Sequence, residues 1–255
     1  MASTSPAGSE RNAVAAARGG ADRRGYVRAM FADIAPRYDF LNHLLSFNID
    51  RGWRKKAIAA LDVSRAPAGT YLDLCAGTLD VAVQLARQPG FRGSVIGADF
   101  VEAMLRGGLH KISGRPVHAI VADALALPLP DRSVDGAVVG FGVRNLADLG
   151  AGLREVARVL KPGGRFVVLE FTTPPSAVVR LAYGAYSQHI LPRIGGLISG
   201  NPSAYRYLPE SVAQFPDAPA LAERLKRSGF VDVSWTLLTL GTVAVHQATK
   251  LPSPS

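Results

Sequence analysis

Cysteine is nearly absent: Cys75 is the only one in 255 residues, so no disulfide can form within the chain and nothing argues for an oxidising compartment. A cytoplasmic setting is expected. The lone thiol has no histidine near it in sequence and reads as a small core residue rather than a nucleophile. The five histidines are scattered without ligand spacing, which argues against a metal site. Long apolar runs are missing too. A bilayer span needs about 18 uncharged apolar residues, and even the apolar region after Pro175 is interrupted by Arg180 and Arg193. Acidic residues are the scarcer sign, 20 against 29 basic ones, for a net charge of +9. That excess implies an anionic partner, whether nucleic acid, a phospholipid surface or an acidic substrate, and does not choose among them.

What remains is an ordinary soluble composition, 48% hydrophobic and 19% charged, enough for one sizeable core. Residues 1–24 are rich in Ala, Gly, Ser and Arg, and their longest apolar piece, Ala13 to Ala17, is too short for a signal-peptide core, so a disordered tail is expected. A single domain should fill 25–250, with a second short tail at 251–255. Val27, Met30, Phe31 and Ile34 recur at helical spacing until Pro36, and Leu41, Leu44 and Leu45 begin another helix. These helices precede the sheet and are placed to cover its ligand.

The organising stretch runs from Thr70 to Leu85. A buried-strand pattern, Tyr71-Leu72-Asp73-Leu74, passes through Cys75, Ala76 and Gly77 into an apolar helical pattern that begins near Leu79. Gly77 permits an unusual φ and close approach of a ligand, and the helix aims free N–H groups at the same spot. A plain structural turn would look the same. The next strand, Ser94 to Asp99, ends in an acid about 20 residues beyond the glycine, where a carboxylate accepts from both ribose hydroxyls. A short helix from Val101 follows, then a strand at Val117 to Val121 with Asp123 just past its end, able to accept from an adenine amino group.

The fourth strand, Val134 to Gly140, leads into Phe141-Gly142-Val143-Arg144-Asn145, and a helix from about Leu149 to Leu160 stops at Lys161-Pro162-Gly163-Gly164. The fifth strand is Arg165 to Phe171. An insertion at 174–219 carries Tyr183, Tyr186, His189, Tyr205 and Tyr207, a density that suggests a lid or apolar pocket on the substrate side. The chain closes with a helix, Ala218 to Ser228, and a hairpin about Gly241 whose last strand should enter antiparallel. The alternation predicts an α/β, doubly wound, Rossmann-like sheet. A single-glycine loop, a ribose-binding acid and a closing hairpin fit a class I S-adenosylmethionine-dependent methyltransferase better than a dehydrogenase, because a sulfonium cofactor has no pyrophosphate to cradle.

Several motifs then stand in order. Tyr38-Asp39-Phe40-Leu41-Asn42 with Ser46 and Trp53, the Phe141 to Asn145 turn, Arg158 to Gly164 with Leu169-Glu170-Phe171, Tyr186 to Gly195, and Tyr205 to Ser211 together resemble the ubiquinone/menaquinone biosynthesis C-methyltransferase family from about Tyr26 to Lys250. The resemblance implies methyl transfer from S-adenosylmethionine to a ring carbon of a polyprenylated quinol, demethylmenaquinol most commonly, with a polyprenyl benzoquinol as the alternative. It carries cofactor binding onto Thr78, Asp99, Asp123 and Ala124, and the candidate set is completed by Asp73, Gly77 and Gly140. The sequence departs from the family pattern at Asp50, Ala76, Leu79, Asp123 and Gly140.

A quinol ring becomes nucleophilic at carbon as its hydroxyl loses a proton, so the site needs positioning, dryness and a stabilised phenolate. Arg144 and Asn145 suit the oxyanion. A structural turn, with Arg144 salt-bridged to the following helix, is the competing reading. His189, Asp50 and Tyr183 are proton-acceptor candidates alongside a water, while Tyr38, Tyr183, Tyr186 and Tyr205 are candidates for holding the substrate. A prenylated substrate and the basic charge imply peripheral contact with an anionic membrane at its cytoplasmic face. A homodimer is left open. Nucleic acid is disfavoured because the Asn-Pro-Pro-aromatic signature is missing after the fourth strand, its lookalike Asn201-Pro202-Ser203-Ala204-Tyr205 lying in the insertion. From a different class, a non-catalytic cofactor-binding protein is the remaining rival.

Overall fold

The computed structural model describes residues 13–17, 23–39, 46, 48–186 and 202–252, with side chains from 206 onward in the last stretch. Seven strands form one sheet in the order β3-β2-β1-β4-β5-β7-β6. They are β1 (Thr70–Leu74), β2 (Ser94–Asp99), β3 (Val117–Val121), β4 (Val134–Gly140), β5 (Leu160–Phe171), β6 (Phe230–Leu238) and β7 (Val243–Lys250). The first five pair in parallel, and β7 enters antiparallel between β5 and β6. The expected hairpin about Gly241 is therefore present.

Alternation along the central strands builds two cores. Ala137 and Val139 of β4, with Phe166 and Val168 of β5, join α5 (Leu149–Val159) and α8 (Ala218–Arg227) on one face. Val138, Val167 and Leu169 face the other way, against α2 (Asp50–Leu61), α3 (Asp80–Ala86) and α4 (Glu102–Ile112). Strands covered on both faces need apolar residues at both parities, which is why β4 and β5 read as nearly continuous apolar runs.

A third, smaller core lies at the C-terminal edge of the sheet. It joins Val27 and Met30 of α1 (Arg23–Ile34) to Tyr207 of α7 (Pro202–Gln214), with Tyr186 beside them. Residues 13–17 are helical, and Ala13, Ala16 and Ala17 are buried in this cluster. This corrects the expectation of a disordered tail across 1–24: three alanines at i, i+3 and i+4 make a small apolar face that packs. The expected helix at 41–45 lies outside the described residues. Lys161 to Gly164 corrects a second expectation, because it does not stand apart as a stop. β5 begins at Leu160, which pairs with Val134, and the register shifts before Gly136 meets Arg165. The glycines are absorbed as an irregularity at the strand's start.

Glycines in two helices play opposite parts. A Cβ on Gly108 of α4 would lie 2.3 Å from the Thr78 carbonyl oxygen, so its absence lets α4 sit against the loop after β1. Gly52 of α2 is exposed and has nothing within 4 Å of a Cβ. Gly52→Ala should stabilise the fold by about 0.5–1 kcal/mol, whereas Gly108→Ala should cost about 1–3 kcal/mol through overpacking. Thermal denaturation of both variants checks this, with shifts of opposite sign expected.

Candidate functional site

The strand order reverses between β1 and β4, and a cleft of about 750 Å³, open to solvent, lies outside the carboxyl ends of β1, β2 and β4. Cys75, Gly77, Asp99, Asp123, Ala124, Gly140 and Asn145 all contribute to its wall, with Tyr38, Phe31 and Arg24 closing over it from the N-terminal segment. Seven residues far apart in sequence are thus brought to one place.

The loop after β1 is held in the left-handed region. Cys75, Gly77 and Leu79 have φ of 53°, 54° and 67°, a conformation that costs non-glycine residues roughly 1–3 kcal/mol each. Tertiary packing sustains it. The buried Leu79 side chain fills the space over Gly97, where a Cβ would meet Leu79 Cδ2 at 2.4 Å, and Gly142 leaves comparable room for Cys75. At Gly77 a side chain would meet Met104 Cε at 3.3 Å beneath the cleft wall.

Asp99 joins the loop to the second strand. Its Oδ2 accepts from Gly77 N and its Oδ1 from Val101 N, both at 2.8 Å. Burial pushes this carboxyl up from its ordinary value, against those amide hydrogen bonds. Asp73 is buried below and does not reach the cleft wall. Its Oδ2 accepts from Ala82 N at 2.9 Å at the start of α3, and burial pushes it up to about 8. Its geometry is that of a loop support, which corrects its placement among ligand contacts. Thr78 is buried next to Gly77, its hydroxyl donating to Asp39 Oδ1 at 2.5 Å. Asp123 accepts from Leu125 N at 3.0 Å and pairs with Arg24 at 2.6 Å. Burial raises the Cys75 thiol well above its usual range, and Asp99, Asp73 and Glu170 add to the rise, so no thiolate forms there.

The turn after β4 is anchored from below. Arg144 Nη1 donates to Glu170 Oε1 at 2.8 Å and to Phe141 O at 2.5 Å, and its guanidinium lies 5.5 Å from the Phe171 ring centre. The competing reading paired Arg144 with the following helix; its partner is instead Glu170 on β5. Burial pushes Glu170 up while Arg144 pulls it down. Burial also opposes the charge on Arg144, and Glu170 outweighs it and raises the guanidinium further. Arg144 Nε is buried without a hydrogen-bond partner. The Arg144 side chain does not itself line the cleft, whereas Asn145 does.

Tyrosines surround this pair. Tyr38, Tyr183 and Tyr207 all lie within electrostatic reach of Arg144. Tyr207, one of the insertion's aromatics but not among the candidate site residues, donates its hydroxyl to Asn145 Oδ1 at 3.1 Å, and its ring packs 5.7 Å from Tyr26. Tyr186 packs with them on the third core. Burial pushes the Tyr183 phenol up to about 12, so it stays neutral and takes no proton near neutral pH, which corrects its standing as an acceptor. Asp50 is buried away from the cleft wall, accepting from Ser46 Oγ at 2.8 Å and pairing with Arg54 at 3.2 Å. It faces Ser46 and Arg54 rather than the cleft, which corrects its place among the acceptors. His189 and the Tyr205 side chain lie outside the described residues.

Asp50 belongs to a larger network. Arg54 also reaches Asp80 at 2.6 Å, and Lys111 bridges Asp80 at 2.7 Å and Asp39 at 2.5 Å. Burial pushes Asp80 up, but Arg54 and Lys111 outweigh it and hold the carboxyl below its usual value. The cover segment at Tyr38 and Asp39 is thereby pinned to α3 and α4. Among the described residues, no group of three or more His, Cys, Asp or Glu side chains is placed to hold a metal.

Comparison with known proteins places this geometry. The chain is 50% identical over 220 residues to the demethylmenaquinone methyltransferase of Thermus thermophilus, covering 85% of this chain and 98% of that one. It is 42% identical to the ubiquinone/menaquinone biosynthesis C-methyltransferase UbiE of Geobacter sulfurreducens, covering 88% of each. Solved structures share the fold at lower identity. The [4+2]-cyclase SpnF aligns with a TM-score of 0.59 at 16% identity, over 78% of this chain and 81% of that one. Phosphoethanolamine N-methyltransferase 2 of Haemonchus contortus, in complex with S-adenosyl-L-methionine, aligns at 0.56 and 16%, over 76% of this chain and 52% of its own. The ubiE/COQ5 methyltransferase family matches residues 19–250, and with the cleft, its strand-end carboxylate and the buried Arg144–Glu170 turn in place, the chain belongs to that family.

Proposed function

We propose that the chain methylates a ring carbon of a polyprenylated quinol, converting demethylmenaquinol to menaquinol at the cytoplasmic face of the membrane. The observation that carries this reading is the buried Arg144 guanidinium, set among Tyr38, Tyr183 and Tyr207 beside the cleft. Tyrosines within electrostatic reach of one fixed positive charge suit a flat ring that becomes a phenolate. The relative named demethylmenaquinone methyltransferase supports the naphthoquinol, and the one named for both quinones makes a benzoquinol the second substrate to assay.

The residues present fit the cofactor. Gly77 leaves a side-chain-free floor, Asp99 stands where a ribose diol would donate, Asp123 stands where an adenine amino group would, and the acids around Cys75 favour a cation. Bound S-adenosylmethionine supplies an electrophilic methyl group with a good leaving group. The chain supplies the rest. Asn145 lines the cleft with its Oδ1 already engaged by Tyr207, which fixes the amide's orientation. Arg144, buried behind Asn145, lowers the quinol pKa by its charge. With Asp50 engaged by Arg54 and Tyr183 neutral, His189 and a water stand as the acceptors of the hydroxyl proton.

Asp99→Ala should weaken cofactor binding by roughly 2–3 kcal/mol, since hydrogen bonds to a carboxylate are strong. Unchanged affinity by isothermal titration would reject the assignment. The raised carboxyls make binding pH-dependent as well. Asp73 is pushed up to about 8 and so holds a proton near neutrality that a cation in the neighbouring cleft favours displacing, and burial raises Asp99 in the same direction. The free protein loses stability as pH climbs from about 4 towards 8, because the unfolded chain ionises first. Cofactor affinity should rise over that window. Titration in two buffers of different ionisation enthalpy should show net proton release on binding.

Arg144→Lys separates chemistry from support. A point charge keeps Glu170 compensated but loses the planar fork, so melting temperature should stay near that of the parent while kcat falls more than KM rises. Arg144→Ala should lose about 10²-fold or more in kcat. It should also melt lower, because it strands a buried carboxylate. A lysine variant with normal kcat and raised KM alone would show that Arg144 does not serve the reaction.

A further inference from the structure

We propose that the helix α6 (Ala177–Ala185) and the turn between β6 and β7 form the face that lies on an anionic lipid bilayer. The helix has no buried residue at all. Val178 and Leu181 are 78% and 79% exposed, and Ala182 and Ala185 are exposed with them, which makes an outward apolar stripe at i, i+3, i+4 and i+7. Val179, Tyr183 and Tyr186 occupy the other side and are partly buried. A surface helix of a soluble domain puts its apolar stripe inward and polar groups outward. This one is apolar on both sides, and such an outer face matches a hydrocarbon boundary rather than water.

The neighbouring turn extends the patch. Leu240 is 78% exposed in the turn Thr239–Gly241 and has a φ of 57°. A leucine held in the left-handed region and pointed at solvent gains nothing from the fold. The turn abuts the start of α6, because a Cβ on Gly241 would sit 2.7 Å from Pro175 Cδ. Arg180, the one charged residue of α6, is tied to the carbonyls of Pro174 and Pro175 at 2.9 Å each and remains exposed at the rim.

Charge complementarity selects the occupant. From Phe171 to Pro209 the sequence contains no Asp or Glu, while Arg180, Arg193 and Arg206 are basic. An apolar stripe with Arg180 at its rim, in a stretch of sequence without acids, is what an anionic lipid surface attracts. A second copy of the chain is the weaker occupant, since a stable protein interface buries about 800 Å² per partner and this patch offers three large apolar side chains. No helix among the described residues is long and apolar enough to cross a membrane, so contact would be lateral. The face also lies at the sheet edge that holds the cleft, and Tyr183 of the same helix reaches towards Arg144. Lipid on one side of α6 and the reaction chamber on the other would give a prenyl tail a short path. That last step rests on the quinol reading; the docking face does not.

Two variants test it in the full chain. Val178→Ser/Leu181→Ser/Leu240→Ser should lose roughly tenfold or more in partition onto phosphatidylglycerol vesicles, while methylating a short-chain, water-soluble quinol at the parental rate. Leu181→Trp should gain blue-shifted emission on those vesicles and be quenched by brominated acyl chains. Vesicle binding unchanged by the triple substitution, or emission from the L181W variant that is indifferent to lipid, overturns the proposed face. So does a lipid-free dimer of the parent that the triple variant abolishes, because the patch would then belong to a second copy. Failure of the parent to methylate any quinol while still binding vesicles through this face would overturn the function proposed above and leave the face standing.

Discussion

The site depends on one carboxylate. Asp99 ends β2 and accepts from Gly77 N in the loop after β1 and from Val101 N at the head of the next helix, so three segments meet on a single buried acid. Each bond satisfies an amide that would otherwise be an orphan at a strand or helix end. The loop it holds is strained, with Cys75 and Leu79 both left-handed. Strain of that kind persists only where surroundings over-determine it, and here Gly97, Gly142 and Gly108 supply the room while Asp99 supplies the tie. Remove the tie and the glycines alone would not select this conformation.

The Arg144–Glu170 pair is a second constraint of a different kind. A buried ion pair adds little net stability over apolar residues of the same shape, yet losing one partner is costly. Its value here is placement. Glu170 sits at the end of β5, fixed by its register against Ala244 of β7, and it accepts from both the backbone and the side chain of Arg144. The turn carrying Asn145 is therefore indexed to the sheet rather than to a neighbouring helix. Trp53, Phe141 and Phe171 pack around it with ring centres 4.7 to 6.3 Å apart, which excludes water from the charge.

Most of the sheet was legible because its code is local. Strands β1 to β4 were bounded correctly from apolar runs and their punctuation, and the ends of β1, β2 and β4 pointed to the cleft. Long-range partners were not legible. Nothing in the string ties Glu170 to Arg144, Lys111 to Asp39 or Tyr207 to Asn145, since each pairing is created by the fold. Leu79 looked like a damaged nucleotide loop; the compensating signal was Gly97 in the next strand, unreadable without knowing that the two positions face each other. The Ala13 to Ala17 turn was read as tail because alanines carry little hydrophobic signal and their partners, Val27, Met30 and Tyr207, are distributed along the chain.

The charge count follows from the same separation of inside and outside. Of the acids, Asp50, Asp73, Asp99 and Glu170 are buried, where they hold the loop, the turn and the N-terminal cover. Among the described basic residues, Arg54 and Arg144 are buried, Arg54 pairing with Asp50 and Arg144 with Glu170. Withdrawing more negative than positive charge from the surface leaves the exterior more basic than the net +9 alone conveys. Burial lifts Asp73, Asp99 and Cys75 together, and neighbouring carboxylates add to the rise at Asp73 and Cys75. One distribution thus has two electrostatic consequences: buried carboxylates around the cleft favour a cation there, and the exterior carries an excess of positive charge.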